Sequence, residues 1–324
     1  MVRRVNTGAF CVGFVAMLAA SQASAAAPAV LLGETMGTTW SVKIAPAPAA
    51  KLDSRELRTA LQARLDELEA AMSTYRADSE VSRFNRAATT NWFPVSIDTA
   101  QAVTEALRVN RATAGAFDIT VAPLVELWGF GRTRSNRVPA SNEISAALAP
   151  TGSEKLFVRA APPALRKADL RLAIDLSGIA KGYAVDALSE LLARKGITNH
   201  LAQIGGEFLA RGHATDGGAW RVGIEHATRP GEILRAVELK NQALSTSGNY
   251  RNVHEVAGRK FGHILDPRTG WPVENGLASV SIIAPSSATA DALATALFVL
   301  GPAQATTTAE RLGVRCFLDF TSED

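Results

Sequence analysis

Between Ala290 and Gly301 the chain reads ADALATALFVLG, a run so rich in Ala and Leu that a helix is its natural conformation. On such a helix Asp291 and Thr295, four residues apart, stand on one face, one turn from each other. A carboxylate and a hydroxyl offer a hard cation only oxygen ligands. That suits Mg²⁺, which takes few protein ligands and fills its shell with water and phosphate oxygens. The spacing alone leaves a plainer account open, in which Asp291 caps or solvates a helix start after Pro285 and Ser286. Other residues must decide between the two.

A chain of 324 residues, 47% of them apolar, can bury a substantial core. It shows no internal repeat, heptad array or Pro/Ser-rich linker, so one compact α+β domain of mixed sheets with packed helices is expected in place of two separable units. The first 25 residues differ in kind. Arg3 and Arg4, an apolar run from about Ala9 to Ala20, and Ala23-Ser24-Ala25 read as a secretory signal cleaved near Ala25, leaving a domain over 26–324 in the periplasm. The apolar run is short for a bilayer, and no stable membrane span is expected in the mature chain. Without Arg3 and Arg4 the formal charge of +3 falls to +1, and no basic stripe points to nucleic acid. Cys11 lies in the leader behind Phe10, where a lipidated cysteine needs a small residue. Cys316 alone can form no internal disulfide. Its surroundings, VRCFLDF, predict a buried strand residue and not a nucleophile.

The pattern in order begins with GETMGTTWSVKI, Gly33 to Ile44, a strand or hairpin arm turning at Met36 and Gly37. Leu57, Leu61, Leu65, Leu68 and Met72 keep helical spacing behind Asp53 or Ser54 as cap. STYRADSEVSRFN, Ser73 to Asn85, reads as an ordered loop and short helical turn whose Tyr75 and Phe84 belong either to the core or to a ligand stack. A second helix covers Thr99 to Thr113 with Gly115 as its stop, and AFDITVAPLVELWGFG starts like a strand that gives way at Pro123. Asn142 to Leu148 reads as a short helix. Strands are expected over Ile197–Ile204, around Phe208, over Trp220–Glu225, Ile233–Leu239 and Ala278–Ala284, and over Cys316–Phe320.

Two stretches carry further chemistry. LRLAIDLSGIAKGYAVDAL, from Leu170, reads as a strand turning at Asp175 to Gly178 into a helix that runs to Lys195. A helix start of this kind presents free N–H groups to an anion. Lys181 in its first turn is electrostatically odd, and either a bound phosphate or plain solvation would account for it. FGHILDPRTGWPV, Phe261 to Val273, gathers His263, Asp266 and Arg268; Gly205-Gly206 before Glu207 would let a ligand approach the backbone closely.

Taken in order, MGTTW, STYRADSEVSRFN, FDITVAPLVELWGFG, IDLSGIAKGYAVD, IGGE, STSGNYRN, HILDPRTG and DALATALFVLG resemble the ApbE family, the FAD:protein FMN transferases, over essentially the whole mature chain. The resemblance implies an exported, Mg²⁺-dependent enzyme that splits FAD and attaches FMN to a Thr or Ser hydroxyl of an acceptor flavoprotein, with AMP released. It places Mg²⁺ on Asp291 and Thr295 with backbone help near Gly178 and Ala294. FAD, as substrate, would lie against Met36, Tyr75, Ala116, Phe117, Asp118, Asp175, Lys181 and the backbone near Leu265. His263 becomes the general base, since histidine can take a proton near neutral pH. Asp266 would orient His263 or shape the turn, and Arg268 would hold the turn or meet phosphate; His200, His213, His226 and His254 have no ligand-like spacing. The rival readings are an FAD pyrophosphatase, in which water replaces the acceptor, a non-catalytic FAD-binding protein, which would need neither metal ligands nor a base, and a thiamine-pathway accessory protein, which nothing in the sequence supports.

Overall fold

The computed structural model describes residues 29–45, 53–135, 137–229, 231–249, 252–256 and 258–321; the expected leader over 1–25 lies outside them. The chain opens on a hairpin of β1 (Ala29–Thr35) and β2 (Thr38–Ile44). Its two loop residues, Met36 and Gly37, both take positive φ, 49° and 71°, as a tight hairpin turn requires. Helix α1 (Ser54–Met72) is capped by Asp53, which accepts from the N–H groups of Arg55 and Glu56, and it buries the expected leucines. Next come α2 (Glu80–Arg86), β3 (Phe93–Pro94), α3 (Ile97–Ala112), α4 (Ala122–Leu127), α5 (Ser141–Leu148), β4 (Leu156–Arg159), β5 (Ala164–Lys167) and α6 (Ala180–Arg194). The second half holds β6 (His200–Ile204), β7 (Glu207–Arg211), β8 (Trp220–Glu225), β9 (Ile233–Leu239), β10 (Ala243–Gly248), β11 (Val253–Val256), β12 (Arg259–Gly262), β13 (Leu277–Ala284), α7 (Ser287–Leu300), α8 (Pro302–Leu312) and β14 (Arg315–Phe320).

Seven strands form one antiparallel sheet in the order β1-β2-β6-β7-β10-β13-β14. Its central strands are apolar on both faces because both are covered. Ala202, Leu209, Ala243 and Ile282 join the main core under the helices, while their neighbours Leu201, Ala210, Leu244 and Ile283 join a second core under the β8–β9 ribbon. Strand β13 is accordingly buried at all eight positions. Helix α7 lies against β10, β13, α6 and α3, and nearly every residue on it is buried. The single α+β domain is the architecture the pattern predicts.

Two expectations are corrected. Leu170 to Gly178 forms no strand. The segment is held by side chains instead: Asn85 Nδ2 donates to Ile174 O at 2.8 Å, Ile174 N donates back to Asn85 Oδ1 at 2.8 Å, and the buried Lys167 ammonium donates to Leu172 O. The strand-like start at Ala116 is a single 3₁₀ turn, Ile119–Val121, because Asp118 accepts from Thr120 N and caps it. Cys316 does sit on a strand, yet β14 is the sheet's edge and leaves it half-buried.

His200 supplies a stability test. It is wholly buried, Nε2 lies 2.8 Å from Ser189 Oγ, and burial holds its pKa down at about 4. An unfolded chain binds that proton near pH 6.5, so this group's contribution is intact above 6.5 and is lost as pH falls toward 4. Asp186, pushed up by burial to about 6, acts in the opposite direction, so only a comparison isolates the histidine. Relative to a His200→Gln variant, the wild type is expected to lose on the order of 2–3 kcal/mol between pH 6.5 and 4. Urea unfolding across that range reads it; a difference that stays constant with pH would disprove a neutral buried imidazole.

Candidate functional site

Helices α6 and α7 touch backbone to backbone at Gly182, where an added Cβ would stand 2.3 Å from Ser287 O. Asp186 of α6 accepts from Ser287 N at 2.8 Å and Ala288 N at 2.9 Å, capping α7 from its neighbour, while Gly182 N donates to Asp291 Oδ2 at 3.0 Å. Asp291 is thus locked in place and 3% exposed. Burial pushes its carboxyl up, and the Lys181 ammonium pulls it back toward ionisation. The helix's own cap is Ser286, which accepts from Thr289 N, so the plainer account of Asp291 as a capping residue does not hold. One turn on, Thr295 Oγ1 lies 2.9 Å from Ser247 Oγ of β10, and a Cβ at Gly178 would come within 3.5 Å of the same hydroxyl. A carboxylate, two hydroxyls and a bare stretch of backbone converge there.

These groups form one wall of a cleft of about 490 Å³. On the same side Lys181 forms an ion pair with Glu207, the first residue of β7, which is 1% exposed. That pair accounts for a lysine in the first turn of α6, where both phosphate and plain solvation had been open. Glu207 is aimed by the two-residue Gly205-Gly206 loop, both at positive φ, and its Oε2 is buried without a hydrogen-bond partner. Burial pushes its pKa up to about 7; Lys181 lowers it and Asp291 raises it.

An aromatic cluster also borders the cleft through Phe130 and Leu265. Trp128, Phe130, Phe261 and Leu265 form a small core of their own, with Trp128 Nε1 donating to Gly270 O at 2.8 Å. Phe130 stacks on His254 and meets His263 edge-on, with ring centroids 6.3 Å apart. Tyr75, 60% exposed at the rim, donates from Oη to Phe130 O at 3.2 Å. His263 is held by Asn249, whose Oδ1 accepts from Ile264 N at 3.1 Å, and by its own N–H to Asn252 O at 3.2 Å. Burial lowers its pKa to about 4, so the ring is neutral at neutral pH; Nδ1 is buried with no hydrogen-bond partner. Asp266 and Arg268 turn out to be a self-contained turn, with Arg268 Nε and Nη2 each 2.8 Å from the Asp266 carboxylate and Gly270 N donating to Asp266 O.

Tyr75, Ala116, Phe117, Asp118, Asp175, Gly178, Lys181, His263, Leu265, Asp291 and Thr295 all line this cleft. Met36 and Ala294 do not: Met36 occupies the β1–β2 turn, and Ala294 is wholly buried within α7. Asp118 faces the cleft with both oxygens already accepting from the protein, Oδ1 from Thr120 and Oδ2 from Ser153 N at 3.1 Å. Asp175 accepts from Ser177 N at 2.7 Å, and burial pushes its carboxyl up. Among the described residues no cluster of three His, Cys, Asp or Glu side chains could hold a metal. The oxygen-only set around Asp291 has the donor chemistry of a hard cation such as Mg²⁺ and is ill suited to zinc.

The sequence model of the ApbE family matches residues 36–318. The chain belongs to the ApbE family. It is 41% identical over 305 residues to the FAD:protein FMN transferase of Salmonella typhimurium, covering 92% of this chain and 87% of that one. It is 42% identical over 282 residues to the enzyme of that name from Vibrio cholerae, covering 86% and 84%. The solved structure of flavin transferase ApbE from Vibrio cholerae aligns with a TM-score of 0.83 at 39% identity, over 92% of this chain and 94% of that one. The apo form of the Pseudomonas stutzeri flavinyl transferase ApbE gives 0.83 at 38%, over 91% and 92%. Within this ApbE fold, Ser247, Glu207 and Phe130 are among the cleft residues to which the sequence reading gave no role. Glu207 had a usable signal, a carboxylate straight after Gly-Gly; Ser247 and Phe130 reach the site only through strand pairing and loop packing.

Proposed function

We propose that this protein is an exported, Mg²⁺-dependent FAD:protein FMN transferase acting on a Thr or Ser hydroxyl of a periplasmic or membrane-bound redox protein. The observation that carries the reading is the buried Asp291 with Thr295 lining the same cleft as the uncharged His263. Asp291 and Thr295, with the Gly178 backbone as the family resemblance suggests, would hold the cation, and Ser247 fixes the threonine hydroxyl. A bound Mg²⁺ would neutralise the pyrophosphate oxygens and the leaving phosphate.

The rest falls to the chain. The acceptor oxygen bonds to the FMN phosphorus, the bond from that phosphorus to the AMP phosphate oxygen breaks, and the acceptor's proton passes to a ring nitrogen of His263. A histidine near pKa 4 is a weak base but is fully unprotonated at neutral pH, and its desolvated ring waits for a proton. Phe130, Phe117 and rim Tyr75, all lining the cleft, suit a flavin or adenine ring system. Leader, export and acceptor class rest on the sequence reading.

The deciding experiment is to incubate the protein with FAD, Mg²⁺ and an acceptor fragment and to record the acceptor's intact mass with and without EDTA. A metal-dependent gain of one FMN is the expected result. FMN and AMP appearing while the acceptor mass stays fixed would favour the pyrophosphatase, and surviving FAD the binding protein. His263→Ala should slow transfer about 10²- to 10⁴-fold with FAD binding retained; loss of FAD binding in that variant would sink the base assignment.

A further inference from the structure

Three charged side chains meet at the metal wall and outnumber what a simple cation site requires. Asp291 and Glu207 are both buried, 3% and 1% exposed, and both line the cleft with Lys181. Lys181 precedes Gly182, whose N–H donates to Asp291 Oδ2, so its backbone is anchored beside Asp291 while its ammonium is drawn to Glu207 on β7. Its charge is felt at both carboxylates, lowering each. A long flexible lysine between two buried carboxylates can neutralise either. If it paired with Asp291, it would occupy that oxygen ligand and repel a divalent cation.

We propose that Glu207 is a positioning residue that sequesters the Lys181 ammonium and thereby keeps the Asp291 carboxylate free for a divalent cation. This inference rests on the Mg²⁺ reading given above. Glu207 is suited to the task because the Gly205-Gly206 turn fixes its approach and the protein gives its Oε2 no competing hydrogen bond, leaving the carboxylate committed to Lys181. Geometry also keeps Glu207 on a separate element from Asp291, so the lysine can bond one carboxylate and leave the other accessible.

The test is direct cation binding with no nucleotide present, using Mn²⁺ as the probe and the EPR signal of the free ion as the readout, for the wild type, Glu207→Gln, Lys181→Met and the double variant. Glu207→Gln keeps the shape but releases the lysine, and it should weaken Mn²⁺ binding about 10- to 100-fold, the range seen when groups behind a metal ligand are removed. Lys181→Met should bind at least as tightly as wild type, and adding it to Glu207→Gln should restore binding to within about threefold. A merely structural role for Glu207 predicts no such rescue. Unchanged binding in Glu207→Gln, or a double variant as weak as Glu207→Gln, overturns the proposal and leaves the metal reading intact. A wild type that takes up no Mn²⁺ overturns both. Should Glu207→Gln fail to fold, Lys181→Met decides alone: tighter or equal binding supports competition by the lysine, weaker binding refutes it.

Discussion

Replacing Asp291 with Asn should reduce flavin transfer by at least about 10³-fold while leaving the fold as stable as the wild type or more so. The two effects have one cause. Asp291 is an ionisable group at 3% exposure whose carboxyl is pushed up by burial and only partly drawn back by Lys181 and the Gly182 N–H, so its charge costs the folded state what a bound cation would offset. The amide keeps the shape, and its oxygen can still accept from Gly182 N, so the backbone donor of α6 is not orphaned. What disappears is the charge, and with it several kcal/mol of electrostatic stabilisation. Transfer assays beside urea unfolding read both quantities. A variant that keeps a tenth or more of its activity would remove Asp291 from the cation's ligands. A large fall in stability would mean that the carboxylate is structural.

Gly182→Ala should destabilise the protein by about 3 kcal/mol or more and lower activity at least about 10²-fold. On an exposed helix the same change usually stabilises, by roughly 0.5–1 kcal/mol. Here the added Cβ would stand 2.3 Å from Ser287 O, 2.6 Å from Ser287 C and 2.8 Å from Asp291 Cβ. The first two are backbone atoms of α7 and cannot rotate away. The helices must separate, which stretches the bond from Gly182 N to Asp291 and moves the carboxylate relative to Thr295 and Ser247. Denaturation midpoints and transfer rates measured on one preparation check this; an unchanged or raised midpoint would mean that α6 and α7 are not in backbone contact.

Some of the site was legible because its chemistry is local. Asp291 and Thr295 share a helix, and the 3.6-residue period alone puts them on one face. The helix start after Gly178, the His263 turn and Gly205-Gly206 were marked by residue types that few other conformations need. The errors have a common origin as well. Leu170 to Asp175 alternates like a strand, yet its backbone partners are the Asn85 side chain and Ile119 O, groups remote in sequence that no period can announce. In the same way, nothing in the sequence tells that Thr120 and Ser153 N–H groups already donate to Asp118.

The sequence by itself determined the elements, their apolar faces, the family and the residue types of the cleft, since these follow from local periodicity and from ordered motifs. Tertiary structure alone decided how charge is distributed in that cleft. Lys181 and Glu207 are 26 positions apart, and Asp291 is a further 84 along; only the packing of α6, α7 and β7 around the Gly182 contact brings one ammonium between two buried carboxylates. Burial and pairing, which set whether each group is charged, are properties of that three-dimensional arrangement and have no counterpart in residue order.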